Sequence, residues 1–208
     1  MPTPTFDLLA ISDLQTLAEP FADWLRRLAE AGVGALQVRE KTLGDRGDRG
    51  DRAVLELAIE ARAALPVVLV NGRLDIALAA GADGAHLPAD GVPIDALRRR
   101  FGPDPLLGRS THTVEEVEAA LREGADYVTF GPVYPTPSKE RYGPPRGLDE
   151  LARAAQVPIP VYALGGVTLS RFGEVAEAGA AGVAGIRLFQ EPGLSDVVRE
   201  ARRSFPKR

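Results

Sequence analysis

The sequence predicts a (β/α)8 barrel, and three observations carry that prediction. Four helical patterns end at a glycine and pass at once into a short apolar run, at Gly32, Gly81, Gly124 and Gly179. Other apolar runs fall between these four. Helical patterns fill the intervals, giving eight alternating pairs in 208 residues. Glycine just past a helix end adopts the left-handed conformation without a Cβ clash, so it marks where a chain leaves a helix for a strand. Repetition of the hand-over predicts βα units and a parallel sheet. Eight units in this length lie near the lower size of a barrel. An open doubly wound sheet is the competing architecture and needs one strand fewer or another strand order. Residues 1–208 are read as one domain.

Leu8 to Ser12 is the first apolar run. A helical pattern from Leu17 to Glu30 ends at Gly32 and hands over to the strand through Leu36 and Val38. Arg52 to Leu65 precedes the strand Pro66 to Val70, and Leu74 to Ala80 precedes the strand through Ala85 and Leu87. Pro93 to Phe101 leads to the strand Leu106 to Arg109. Val114 to Glu123 opens at Thr113, with Glu116 three residues on, which is a capping box, and its strand is Tyr127 to Phe130. Leu148 to Gln156 precedes Pro158 to Leu164, and Leu169 to Ala178 precedes the strand ending at Gly185. Leu194 to Ser204 is the last helix.

Composition narrows the function classes. The chain is 45% hydrophobic, enough for one core, and no apolar run approaches a membrane span. A net charge of −4 argues against a nucleic-acid surface. The absence of cysteine excludes disulfides, thiolate nucleophiles and thiolate metal ligands. Asp7 and Asp13 flank the first apolar run, unlike a signal peptide, so cytoplasm is the expected location. The segment Gly44 to Arg52 alternates glycine with charge and reads as a solvated loop running into a helix, with a lid over the barrel mouth as the alternative.

Chemistry in such a fold sits at the carboxyl ends of the strands. There, Gln37, Arg39 and Lys41 share one side by strand alternation and suit an anion. Asn71 follows the third strand, as helix cap or ligand contact; His86, on the fourth, reads as a hydrogen-bonded core residue, and Asp90 as a carboxylate at the mouth. Ser110 and His112 follow the fifth strand, and His112 is the better acid–base candidate of the two histidines. A stiff loop from Gly131 to Lys139 presents Thr136, Ser138 and Lys139, a set suited to a phosphate or diphosphate. Gly165 and Gly166 after strand seven, and Ile186 and Arg187 after strand eight, occupy the usual phosphate-binding end of barrels.

Five of these stretches together resemble the thiamine phosphate synthase/TenI superfamily: Gln37–Lys41, Val70–Arg73, Gly108–Thr113, Gly131–Lys139 and Ala163–Thr168. The resemblance implies a phosphate-binding barrel of thiamine biosynthesis. It implies that Arg39, Lys41, Asn71 and Lys139 hold a diphosphate, with Thr136 and Ser138 nearby. The amides of Gly166 and Ile186 would hold a thiazole phosphate, and Gln37 and Ser110 would line a pyrimidine pocket. The synthases capture an aminopyrimidine, after loss of pyrophosphate, with a thiazole phosphate. Their two Mg2+-binding aspartates fall at Gly72 and Gly91 here, with Asp90 adjacent.

Asn71-Gly72-Arg73 and Gly108-Arg109-Ser110 look instead like TenI proteins, metal-independent tautomerases of a carboxythiazole phosphate. The metal positions therefore rank the tautomerase first, an isomerase with no cofactor, with His112, Lys139 and Lys41 as its catalytic set because the TenI histidine falls at Pro132. The synthase, a Mg2+-dependent transferase in which Asp90 would serve any metal site, ranks second. A regulatory paralogue that binds thiazole or thiamine phosphates without turnover ranks third. Expected partners are small phosphorylated thiazoles and, for a synthase, an aminopyrimidine diphosphate, with neither nucleic acid nor membrane; self-association is left open.

Overall fold

The four hand-over glycines all take positive φ, at 85° for Gly32, 66° for Gly81, 88° for Gly124 and 90° for Gly179. Each turns a helix back toward a strand, and the result is the predicted barrel. The computed structural model describes residues 4–41, 47–136 and 144–205. Its strands are β1 Leu8–Ile11, β2 Ala35–Val38, β3 Val67–Asn71, β4 Gly84–Leu87, β5 Leu106–Thr111, β6 Tyr127–Phe130, β7 Val161–Leu164 and β8 Gly182–Gly185. All pair in parallel in chain order, and β8 pairs with β1 to close the barrel. The helices are α1 Phe21–Ala31, α2 Asp48–Ala64, α3 Leu74–Ala79, α4 Ile94–Phe101, α5 Val114–Glu123, α6 Gly147–Ala154, α7 Phe172–Glu177, α8 Arg187–Gln190 and α9 Leu194–Ser204. No helix among the described residues is long and apolar enough to cross a membrane.

Several boundaries differ from the sequence reading. The first helix begins at Phe21, because Pro20 takes an extended conformation and serves as its N-cap. The second begins at Asp48, so the glycine-rich segment is helical from there onward; residues 42–46 lie outside the described residues. Asp51 holds this start in place through a 2.6 Å ion pair with Arg73. β7 begins at Val161, past two prolines that offer no ladder N–H. The pattern from Leu169 to Ala178 divides into a 3-10 turn at Leu169–Arg171 and α7. The short α8 was not expected; the indole N–H of Trp24 holds it by donating to Phe189 O at 2.8 Å.

Alternation along the strands divides the core in two. Leu8, Leu36, Val68 and Val183 face outward, in one apolar cluster with Trp24, Phe172 and Phe189 of the helical shell. Leu9, Leu69, Leu106, Tyr127 and Tyr162 face inward. Phe6 plugs one end of the interior, edge-on to Tyr127 at 5.6 Å and tilted against Tyr162 at 5.0 Å. Two glycines make room for these tyrosines. A Cβ on Gly108 would lie 2.2 Å from Tyr127 Cζ, and one on Gly182 would lie 2.9 Å from Tyr162 Cε1 and closer still, 2.1 Å, to Asp7 O. The opposite end, at the strands' carboxyl ends, is lined with polar groups.

Candidate functional site

β2 delivers Gln37 into the barrel, 2% exposed, and its amide donates to Asn71 Oδ1 at 2.8 Å. The expected alternation does not run on through Lys41. The strand ends at Val38, and Glu40 turns the chain by accepting from Ser12 Oγ at 2.6 Å and from the Leu14 N–H at 3.0 Å. Ser12 Oγ accepts the Arg39 N–H at 2.9 Å, so this cluster ties the β1 and β2 ends together. Burial raises the Glu40 carboxyl above its ordinary pKa, against the lowering effect of the Ser12 and Leu14 bonds. Burial also lowers the Arg39 guanidinium, against the nearby Asp13 and Glu40. Lys41 is exposed. The trio thus grades from buried to exposed rather than standing in one row.

The register sets Asn71 beside His86 and Ser110 beside Thr129. His86 is buried and hydrogen-bonded, as read from the sequence. Its Nδ1 lies 2.9 Å from Tyr127 Oη, and its Nε2 lies 3.0 Å from Ser110 Oγ and 3.3 Å from Thr129 Oγ1. Burial first, then the charges of Arg109 and Arg39, depresses its pKa to about 3. The ring is neutral near pH 7.

Arg109 was not singled out from sequence. It points out of the barrel, 5% exposed, and donates to Pro88 O and Val92 O, both at 2.9 Å, and to Glu123 at 2.8 Å. It therefore clamps the loop that carries Asp90 and Gly91. The signal was present: an arginine at an outward strand position must meet carbonyls or a carboxylate beneath the helices.

Asp90 itself is exposed. Gly72, where the synthase pattern has its first aspartate, has φ 70° and donates its N–H to His86 O at 2.9 Å. Neither Gly72 nor Gly91 offers a carboxylate. Among the described residues no group of three His, Asp or Glu side chains converges as a metal site. A Mg2+ site here would lack both carboxylates of the synthase pattern and would draw on Asp90, substrate phosphates and water.

His112 lies just past β5. Its N–H donates to the Glu116 carboxylate, and Thr113 Oγ1 accepts the Glu116 N–H at 3.3 Å, which completes a capping arrangement at the start of α5. The ring Nδ1 lies 2.5 Å from Gly131 O. A carbonyl only accepts, so Nδ1 carries a proton, and in the neutral ring Nε2 is the basic nitrogen.

The loop after β6 lies against the end of β7. Val133 N–H donates to Leu164 O at 2.9 Å, and Tyr134 N–H donates to Gly165 O at 3.0 Å. Gly165 and Gly166, at φ 94° and 67°, permit this approach: Cβ atoms there would lie 2.7 Å from Pro132 Cβ and 2.6 Å from Pro135 O. The glycine pair thus has a packing role that the sequence reading assigned only to phosphate. Arg171 stacks over Tyr134 at 4.0 Å and donates to Gly166 O at 2.6 Å. Arg187 donates to Thr136 Oγ1 at 2.9 Å, joining the β8 end to the β6 loop. Ile186 precedes α8, a single turn, so it offers its own amide rather than a long helix dipole. Ser138 and Lys139 lie outside the described residues.

The structure therefore brings Gln37 to Asn71, Ser110 to His86 and Thr136 to Arg187, all at the carboxyl ends of the strands. The family description thiamine monophosphate synthase (TMP-TENI) matches residues 8–189. A thiamine-phosphate synthase of Anaeromyxobacter dehalogenans is 48% identical over 79% of this chain and 72% of its own. A putative thiamine-phosphate synthase 2 of Aquifex aeolicus is 39% identical over 88% of this chain and 97% of its own. The solved thiamine phosphate pyrophosphorylase from Pyrococcus furiosus superposes with a TM-score of 0.75 at 28% identity, covering 96% of this chain and 95% of that one. With a closed barrel, these site positions and a match over most of its length, the chain belongs to the TMP-TENI family of thiamine monophosphate synthases.

Proposed function

We propose that this protein, an enzyme of thiamine biosynthesis, is a thiamine phosphate synthase. In this reaction the bond between an aminopyrimidine methylene carbon and its diphosphate oxygen breaks, and the ring nitrogen of a thiazole phosphate bonds to that carbon. The observation that carries the reading is the name shared by relatives 39–48% identical to this chain. This reverses the order expected from the metal positions. Gln37 and Ser110 face the pyrimidine; Arg39, Lys41, Asn71 and Lys139 hold the diphosphate, with Thr136 and Ser138; the Gly165, Gly166 and Ile186 amides and Arg187 hold the thiazole phosphate. With glycine at both metal-carboxylate positions, charge on the leaving pyrophosphate is met by cationic side chains, foremost Arg39 and Lys41.

Incubating aminopyrimidine diphosphate with thiazole phosphate, with and without Mg2+, and following thiamine phosphate tests the reading. Product formation supports it. Thiazole phosphate binding with no product overturns it.

The tautomerase reading is kept for two specific observations. Gly72 and Gly91 lack carboxylates, and His112, whose Nδ1 bonds Gly131 O at the start of the β6 loop, keeps Nε2 as its proton-accepting nitrogen. In that reaction His112 moves the proton and no metal takes part. Carboxythiazole phosphate isomerisation that survives in Lys139→Ala and is lost in His112→Ala would favour it.

A further inference from the structure

The large hydrophobic side chains exposed among the described residues are Ile59, Leu78, Val92 and Phe101. All of them fall on α2, α3, α4 or the segment that leads into α4. Because the strands pair in chain order, these helices are neighbours on the outer shell of the barrel. A single exposed apolar residue is ordinary on a monomer, but confinement of the whole set to one side marks that side for association.

The heights of these residues are ordered. Each helix runs down the shell from the mouth toward the floor, so distance from its last residue measures height. Ile59 stands five residues before the end of α2 at Ala64, about 7.5 Å up at the rise of a helix. Leu78 stands one residue before the end of α3, and Phe101 is the last residue of α4. The apolar residues therefore descend across the face with Leu78 in the middle. A two-fold axis through Leu78 carries the high side of the face onto the low side.

The charges follow the same operation. Glu60 adjoins Ile59 and Arg100 adjoins Phe101, and both are exposed. Nearby exposed charges are paired within the chain, Glu56 with Arg52 at 3.0 Å and Arg99 with Asp95 at 2.6 Å. Arg100 lies over the Phe101 ring at 5.6 Å, and neither it nor Glu60 has an ion-pair partner among the described residues. An acid on one side of Leu78 and a base on the other make the face complementary to itself.

We infer that the α2–α4 face docks a second copy of this chain, with Leu78 at a two-fold axis. Ile59 of each copy packs on Phe101 of the other, and Glu60 of each pairs with Arg100 of the other. Such a contact closes at two copies and makes the ion pair twice. It lies on the outer shell, so both barrel mouths stay open to ligand.

Sedimentation of the full chain from low to high micromolar concentration tests this, and a dimer is expected. Leu78→Asp sets like charges together at the axis and should leave only monomer. Glu60→Arg and Arg100→Glu each oppose like charges and should weaken dimerisation about 10–100-fold. Both substitutions in one chain restore opposite charges across the axis and should recover wild-type dimerisation. A wild type that stays monomeric overturns the inference, and so does a Leu78→Asp protein that still dimerises. A double variant no tighter than either single variant overturns the pairing of α2 with α4. Leu78 is exposed, so Leu78→Asp should keep the wild-type denaturation midpoint; if it does not, the charge exchange decides alone.

Discussion

The floor of the barrel and its mouth are built from the same eight strands and are held by different forces. At the floor, Phe6, Tyr127 and Tyr162 pack ring against ring; Gly108 is small because Tyr127 occupies the space a side chain would need, and Gly182 because the Asp7 carbonyl and Tyr162 do. At the mouth, Gln37, Asn71, Ser110 and Thr136 meet other side chains through hydrogen bonds, and loops meet strand ends through carbonyls. Apolar packing at one end leaves the other free to carry polar groups whose cost is offset by partners or by a ligand. The comparison separates residues whose loss should unfold the protein from residues whose loss should weaken binding.

Breaking the floor should have the largest effect. Phe6→Ala removes the plug and leaves a void bounded by two tyrosines, and it should cost about 3–5 kcal/mol of stability. Urea denaturation checks this. The protein that remains folded should bind thiazole phosphate as the wild type does. A matching loss of affinity would show that floor and mouth are not separable.

His86 sits at the boundary, and acid should find it. Its folded pKa of about 3 lies below the ordinary 6.5, so the unfolded chain takes up a proton that the folded chain refuses. Stability is therefore full above about pH 6.5 and falls as pH drops toward 3, by about 1.4 kcal/mol per pH unit from this one group. Denaturation midpoints between pH 7 and 4, compared with those of His86→Gln, isolate it. An equal slope in both proteins would mean that the ring is not held neutral.

At the mouth, Arg39→Ala should leave stability within about 1 kcal/mol and weaken inorganic pyrophosphate binding about 10–100-fold, the size of a charge-assisted hydrogen bond. Calorimetric titration reads both the loss and its salt dependence. Stability falling as far as affinity would place Arg39 with the floor.

The same contrast explains what the sequence let one read. The barrel was legible because helix-ending glycines and alternating apolar residues are local signals, and Val114–Glu123 and Leu194–Ser204 appear with the bounds read from periodicity. The mouth was legible residue by residue but not in its pairings. That Gln37 meets Asn71, or Arg187 meets Thr136, depends on register and loop path across 34 and 51 residues of chain. Glu40 and Arg109 were missed as organisers for the same reason: their partners Ser12, Leu14, Pro88 and Val92 are distant in sequence. The glycine pair after β7 was read as a phosphate cradle because its neighbour, the β6 loop, becomes visible only in three dimensions.

The smallest perturbation bears most directly on the reaction. Gly72 stands where the synthase pattern has an aspartate, and its position has room: a Cβ there would meet only Pro88 Cδ, at 3.9 Å. Its φ of 70° makes a side chain strained, so Gly72→Asp should cost about 1–2 kcal/mol of stability. Gly91 is tighter, with Pro88 O and Cδ both 3.0 Å from a built Cβ, so the first position is the one to restore. If the missing carboxylate alone limits the chemistry, Gly72→Asp should raise synthase turnover and make it respond to Mg2+. If Arg39 and Lys41 already neutralise the leaving group, turnover should stay the same with and without the metal, and only the denaturation midpoint should move. The second outcome is expected, because the proposed site already meets the leaving group with the cationic side chains of Arg39 and Lys41.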